Sequence, residues 1–108
     1  MKRYVLLEHG NIVDTKDRPL FHIEENTLWH NSMLQGAILN QSDNLIDLAE
    51  VGDMVEDEEI SQVINIFKTD NGYKIIITNT KTFETKLGCP TIKAIWKRNG
   101  DVMRRYER

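Results

Sequence analysis

The residues best equipped for chemistry in this chain of 108 fall into a few groups. Asp70, followed by Glu84-Thr85-Lys86, matches the letters of a D…E-x-K nuclease core. In such a core two carboxylates hold a metal ion and a lysine steadies developing charge. Here Asp70 already fits a turn, and nothing nearby suggests the α/β architecture that core needs. His22, Glu24, Glu25 and His30 offer nitrogen and oxygen donors, but a structural zinc site takes four ligands, usually Cys and His. Three histidines and one cysteine, with no close-spaced pair, do not supply them. Cys89 precedes Pro90 and has no evident base partner that would make it a nucleophile. A Gly-rich phosphate loop, a G-x-S-x-G elbow and a C-x-x-C pair are all missing from the sequence. The expectation is a protein without catalytic residues, metal or cofactor.

Charge is the more informative chemistry. The net charge is −3, but residues 42–60 contain no Lys or Arg and eight acids. Residues 61–108 carry ten basic and four acidic residues. Glu50, Asp53, Glu56, Asp57, Glu58 and Glu59 form an acidic stretch able to mimic phosphate toward a basic groove on a partner protein. It lacks the D-x-D-x-D-G spacing that wraps a single cation. On the basic side, Lys93, Lys97 and Arg104 with Tyr106 could track a phosphate backbone while the ring stacks on a base. A sequence pI near 5.6 weighs against nucleic acid as the main partner.

These groups need elements to position them. Ile, Val and Thr make up 26 residues and Ala only three, a composition suited to pleated sheet rather than helix. Short strands are expected over residues 4–7, 12–14, 20–23, 27–30, 33–39, 60–67, 73–78, 83–87, 92–97 and 102–106, with Gly36 at a bulge and Gly88-Cys89-Pro90 closing the eighth. Residues 42–52 form the best helix candidate, with Ser42 as N-cap, Leu45, Leu48 and Ala49 on one face, and Gly52 at the C-terminal cap. Between the last two strands, Asn99-Gly100 reads as a two-residue hairpin loop, pairing Arg98 with Asp101 and Lys97 with Val102. In that register Ala94, Trp96 and Met103 face the core. Lys97, Arg104 and Tyr106 then face outward, together with Ile95, although Ile95 also belongs among the core candidates.

The expected fold is mainly β: one domain over residues 1–108, built as a small antiparallel barrel or curved sheet with a short helix near 43–50. Its core draws on Leu6, Val13, Trp29, Leu45, Leu48, Val55, Ile64, Ile66, Ile75, Ile77, Ile95 and Trp96. No apolar run approaches the roughly 18 residues of a membrane span. The four apolar residues after Met1-Lys2-Arg3 are too few for a signal-peptide core. With a single cysteine, a reducing cytoplasmic setting is expected.

The run Ser42-Asp43-Asn44-Leu45-Ile46-Asp47-Leu48-Ala49-Glu50-Val51-Gly52-Asp53-Met54-Val55 resembles an S-(D/E)-N-I-I-D-L-I-E-x-G-D-x-V stretch. That stretch occurs in small uncharacterised proteins of phages and prophages of Gram-positive bacteria. Ile92-Lys93-Ala94-Ile95 is similar to an I-K-x-I segment in the same proteins. After Ile95 the chain departs from them. The resemblance implies a phage or mobile-element origin and a bacterial host cytoplasm, and it carries no catalytic residues over. Val51-Gly52-Asp53-Met54-Val55 is also similar to strand entries of SH3-like barrels, which makes such a barrel one form of the expected fold.

The functional expectation is a non-enzymatic accessory protein that binds a host or phage macromolecule, with a protein partner favoured. The alternative is a nucleic-acid-binding barrel using the face of residues 93–106, and a metal-dependent enzyme stands last. No membrane partner is expected, and pairing of two copies through an edge strand stays open.

Overall fold

The computed structural model describes residues 1–86 and 91–108. Strands account for 55% of the described residues and helical turns for 7%, so the protein is mainly β. The described strands form two antiparallel sheets in two compact units, Met1–Asp43 and Asn44–Arg108. Neither sheet closes into a barrel. Leu87, the last residue expected in the strand at 83–87, and Gly88-Cys89-Pro90 lie outside the described residues.

The first unit contains β1 (Tyr4–Leu7), β2 (Ile12–Asp14), β3 (Phe21–Glu24), β4 (Thr27–His30) and β5 (Met33–Ser42), in the spatial order β2-β1-β5-β4-β3. Val5, Leu7, Leu28 and Ile38 form its core, with Val13 and Phe21 packed against them. A bidentate pair links Arg3 to Asp14 at 3.1 and 3.0 Å, and the buried Thr15 hydroxyl donates to the carbonyls of Lys2 and Arg3. The β4–β5 ladder slips beside Gly36, as the bulge reading expected. A Cβ at Gly36 would lie 3.1 Å from His9 Nε2, and its φ of +147° is one that other residues rarely adopt.

The second unit contains β6 (Met54–Glu56), β7 (Ile60–Lys68), β8 (Lys74–Thr78), β9 (Thr82–Glu84), β10 (Ala94–Asn99) and β11 (Val102–Glu107), in the order β11-β10-β6-β7-β8-β9. Its inner face buries Val55, Val63, Ile76, Phe83 and Ile95. The helix expected over 42–52 contracts to one 3₁₀ turn, Leu45–Leu48, against β10. Asn44 and Ala49 on either side are extended, and Asp47 and Ala49 donate to carbonyls three residues back. A two-turn helix has little intrinsic stability. Burial of Leu45, Ile46 and Leu48 together decides the conformation instead.

Two registers differ from expectation. In the last hairpin Asn99 pairs with Val102, Arg98 with Met103 and Lys97 with Arg104, so the loop is Gly100-Asp101. Gly100 takes φ +67° at the first loop position, which a type II′ turn reserves for glycine. In β7 the ladder to β8 passes from Val63↔Thr78 to Asn65↔Ile77, leaving Ile64 as an extra residue. That bulge reverses the in-and-out alternation beyond it. Ile66 then sits opposite fully buried Ile76, while Phe67 pairs with Ile75 on the outer face.

Candidate functional site

The opposed charges of residues 42–60 and 61–108 meet within the second unit. Lys97 lies on β10, between β6 and β11, and shares the inner face with Ile95. Its Nζ donates to Asp53 Oδ2 at 2.5 Å, to Glu50 Oε1 at 2.8 Å and to the Leu48 carbonyl at 3.1 Å. Three acceptors match the three protons of an ammonium, which lets the charge be buried. Burial pushes the Asp53 carboxyl above its ordinary range, opposed by the bonds from Lys97 and from the Glu50 N–H.

A second cluster sits on the outer face. Arg105 grips Glu56 in a fork, Nη2 to Oε2 at 2.7 Å and Nε to Oε1 at 3.0 Å, while Trp96 Nε1 donates to Oε1 at 3.0 Å. These donors, Arg105 first, hold the Glu56 carboxyl down to about 2. The Glu56 and Glu107 carboxylates in turn raise the Arg105 guanidinium. Lys81 bridges Asp57 at 2.9 Å and Glu59 at 3.3 Å, which lowers the Asp57 carboxyl and raises the lysine.

The acidic stretch is therefore largely neutralised within the chain. Of Glu50, Asp53, Glu56, Asp57, Glu58 and Glu59, only exposed Glu58 has neither a hydrogen bond nor an ion pair among the described residues. The basic set is also rearranged. Lys97, Arg104 and Tyr106 do share a face with Ile95, as the hairpin reading held, but that face turns inward at Ile95 and Lys97. Lys97 is 4% exposed and leaves the phosphate-tracking set, because its charge is neutralised beneath β10. Lys93 and Arg104 remain exposed and Tyr106 is half-buried.

The other motif residues do not assemble into one site. His22 stacks on Trp29 with centroids 6.1 Å apart, and His30 on Phe21 at 4.5 Å. The cross-strand pairs His22↔Trp29 and Phe21↔His30 set the two histidines on opposite faces of the hairpin, so they do not converge with Glu24 and Glu25 on one ion. Among the described residues no group of three or more His, Cys, Asp or Glu side chains is arranged to hold a metal. Asp70 is an exposed turn residue, and Glu84 lies on β9 opposite Ile75.

The feature that pattern reading missed is apolar. Ile60, Ile64 and Phe67 along β7 are 53%, 54% and 50% exposed, and half-buried Ile75 and Ile77 flank Phe67 on the outer face. Ile64, Ile75 and Ile77 were expected in the core. Val63 and Ile76 point inward instead, which sets Ile64, Ile75 and Ile77 outward by strand alternation, and the bulge at Ile64 turns Ile66 inward and Phe67 outward. The one available signal was that residues 73–78 carry apolar side chains on both faces.

Comparison decides no family. Against protein-family models, curated proteins and solved structures, the chain has no match. Among the described residues, no helix is long and apolar enough to cross a membrane.

Proposed function

We propose that this chain is a non-enzymatic binding protein of the phage or prophage accessory type, and that its partner is a protein. The carrying observation is the outer apolar face of β7 and β8, with Ile60, Ile64 and Phe67 half or more exposed. Contiguous apolar surface on a folded chain marks interaction sites, since water contact with it is unfavourable and a partner relieves it. Phosphate mimicry by the acidic stretch has less support, because Lys81, Lys97 and Arg105 already occupy five of its six carboxylates. The nucleic-acid reading keeps Lys93, Arg104 and Tyr106 but not Lys97.

The test is retention of proteins from a nuclease-treated bacterial lysate on the immobilised chain, compared with Ile64→Asp and Phe67→Asp. Both sites are exposed, so the variants keep the wild-type circular dichroism. The expected result is a protein retained by the wild type after nuclease and lost from both variants. Retention that disappears with nuclease, or that ignores both substitutions, overturns the proposal.

A further inference from the structure

The first unit carries a second surface with different chemistry. A cleft of about 410 Å³ is lined by Met1, Lys2, Arg18, Ile23, Gln41 and Asp43. Arg18 opens the short 3₁₀ turn Arg18–Leu20, where Pro19 restricts the backbone, and its guanidinium has neither a hydrogen bond nor an ion pair among the described residues. Lys2 is 59% exposed and reaches Asp43 only at 3.6 Å. Asp43 also accepts the Arg3 backbone N–H at 2.9 Å, and that bond first, then the charges of Lys2 and Arg18, hold its carboxyl below the ordinary range.

The charges in the cleft add to a small positive excess, Lys2 and Arg18 against Asp43. One further carboxylate balances it. A polyanion would place its following phosphates against Asp43, so the charge pattern favours an isolated acid over a nucleic-acid strand. The cleft also contains an apolar contact, Ile23, which is 37% exposed. Ile23 belongs to β3, the terminal strand of its sheet, which pairs with β4 on one side only. An edge strand offers outward N–H and C=O groups to an added extended segment.

We propose that Lys2, Arg18 and Ile23 bind an extended acidic segment of another protein, with its backbone along β3, a carboxylate on Arg18 and Lys2, and an apolar neighbour over Ile23. The proposal rests on the protein-binding reading above but uses residues of the other unit. A chain carrying Phe67→Asp that keeps this binding therefore separates the two.

The test is selection of random peptides displayed on messenger RNA against the immobilised full chain, followed by affinity measurement on the selected peptides. The expected winners join Asp or Glu to Val, Ile or Leu, and they bind tenfold or more weaker to Lys2→Ala/Arg18→Ala. Ile23→Glu, which sets a like charge beside the incoming acid, weakens them as well. All three substituted residues are exposed, and unchanged thermal unfolding checks that the variants are folded. No enrichment, enrichment without acids, or acidic peptides that bind the double variant equally well each overturns the proposal. Displacement of the selected peptides by a single-stranded oligonucleotide at low concentration overturns it in favour of nucleic acid.

Discussion

Lys97 Nζ lies 2.5 Å from Asp53 Oδ2, with the lysine 4% and the aspartate 7% exposed, so one cation of the basic half is neutralised by one anion of the acidic half beneath β10. The pair ties the turn preceding β6 to a strand more than forty residues later. A buried pair contributes little over an apolar replacement, but removing one partner leaves a charge without compensation.

Lys97→Met is therefore expected to lower unfolding free energy by about 3–5 kcal/mol, the cost of breaking a buried pair. The loss should depend on pH. Burial already raises the Asp53 carboxyl above 3.8, and removing Lys97 takes away the largest opposing effect, so the folded value rises further. A group raised on folding contributes stability that is complete below its unfolded value and is lost as pH rises through its folded value. Urea midpoints of the variant should thus fall toward wild-type-minus-maximum as pH climbs from about 3 to neutrality. A midpoint difference that stays constant with pH would sink this account of Asp53.

The turns of the β3–β4–β5 ribbon hold strain that substitution can relieve. Glu25 and Asn26 take φ of 52° and 58°, and Asn31 and Ser32 take 49° and 65°, so both two-residue loops use left-handed backbone without glycine. Such a conformation costs an ordinary residue roughly 1–2 kcal/mol, less for Asn, while Gly adopts it freely at an entropic cost. Ser32→Gly creates Asn-Gly, the preferred type I′ loop, and should raise stability by about 0.5–1 kcal/mol. Glu25→Asn should act in the same direction. Asn26 is left unchanged because its Nδ2 donates to the Ile38 carbonyl at 3.0 Å. Denaturant midpoints of the two variants check both expectations.

Much of the fold was legible because strand chemistry is local. Residues 4–7, 12–14 and 27–30 form strands where short apolar runs and Gly or Asn turns place them. What was not legible depends on partners far along the chain. Met54–Glu56 lies within an acidic run outside the expected strands, yet it sits between β10 and β7 in the sheet. Ile64 is indistinguishable by type from Ile66, and only the ladder to β8 shows which one is extra. The same holds at the charged residues. Lys97 looks like any lysine of a solvated hairpin, and its burial follows from Glu50 and Asp53 reaching it from another element. The acidic stretch was visible in the sequence, but its neutralisation was not.

Gly36 supplies a steric prediction. Its backbone conformation is unfavourable for residues with a Cβ, and the added atom would meet His9 Nε2 at 3.1 Å while His9 bonds the Gln35 carbonyl at 3.2 Å. Gly36→Ala should cost about 1–3 kcal/mol, the range for a strained backbone residue. His9→Ala in the same chain removes the clash but leaves the backbone term, so the double variant should recover only part of the loss. Full recovery in thermal unfolding would show that the contact alone matters.

Glu56 and Arg105 give the clearest titration. The Arg105 fork and the Trp96 N–H hold the Glu56 carboxyl at about 2, against an ordinary value of 4.5. A carboxyl depressed on folding contributes stability that is present above its unfolded value and is lost as pH falls through its folded value. Wild-type stability should therefore decline between about 4.5 and 2 from this group, and carbon-detected NMR should find its midpoint near the lower limit. Arg105→Leu removes the largest cause and leaves the Trp96 bond and the charge of Lys93, so the midpoint should move up toward the ordinary value and the acid-side decline should shrink. Trp96 fluorescence provides an independent reading, because protonation of Glu56 weakens the acceptor of its indole N–H. If the Glu56 midpoint is the same with Leu at 105 as with Arg, the fork does not control this carboxylate and the outer-face cluster is not the charge-neutralising device described above.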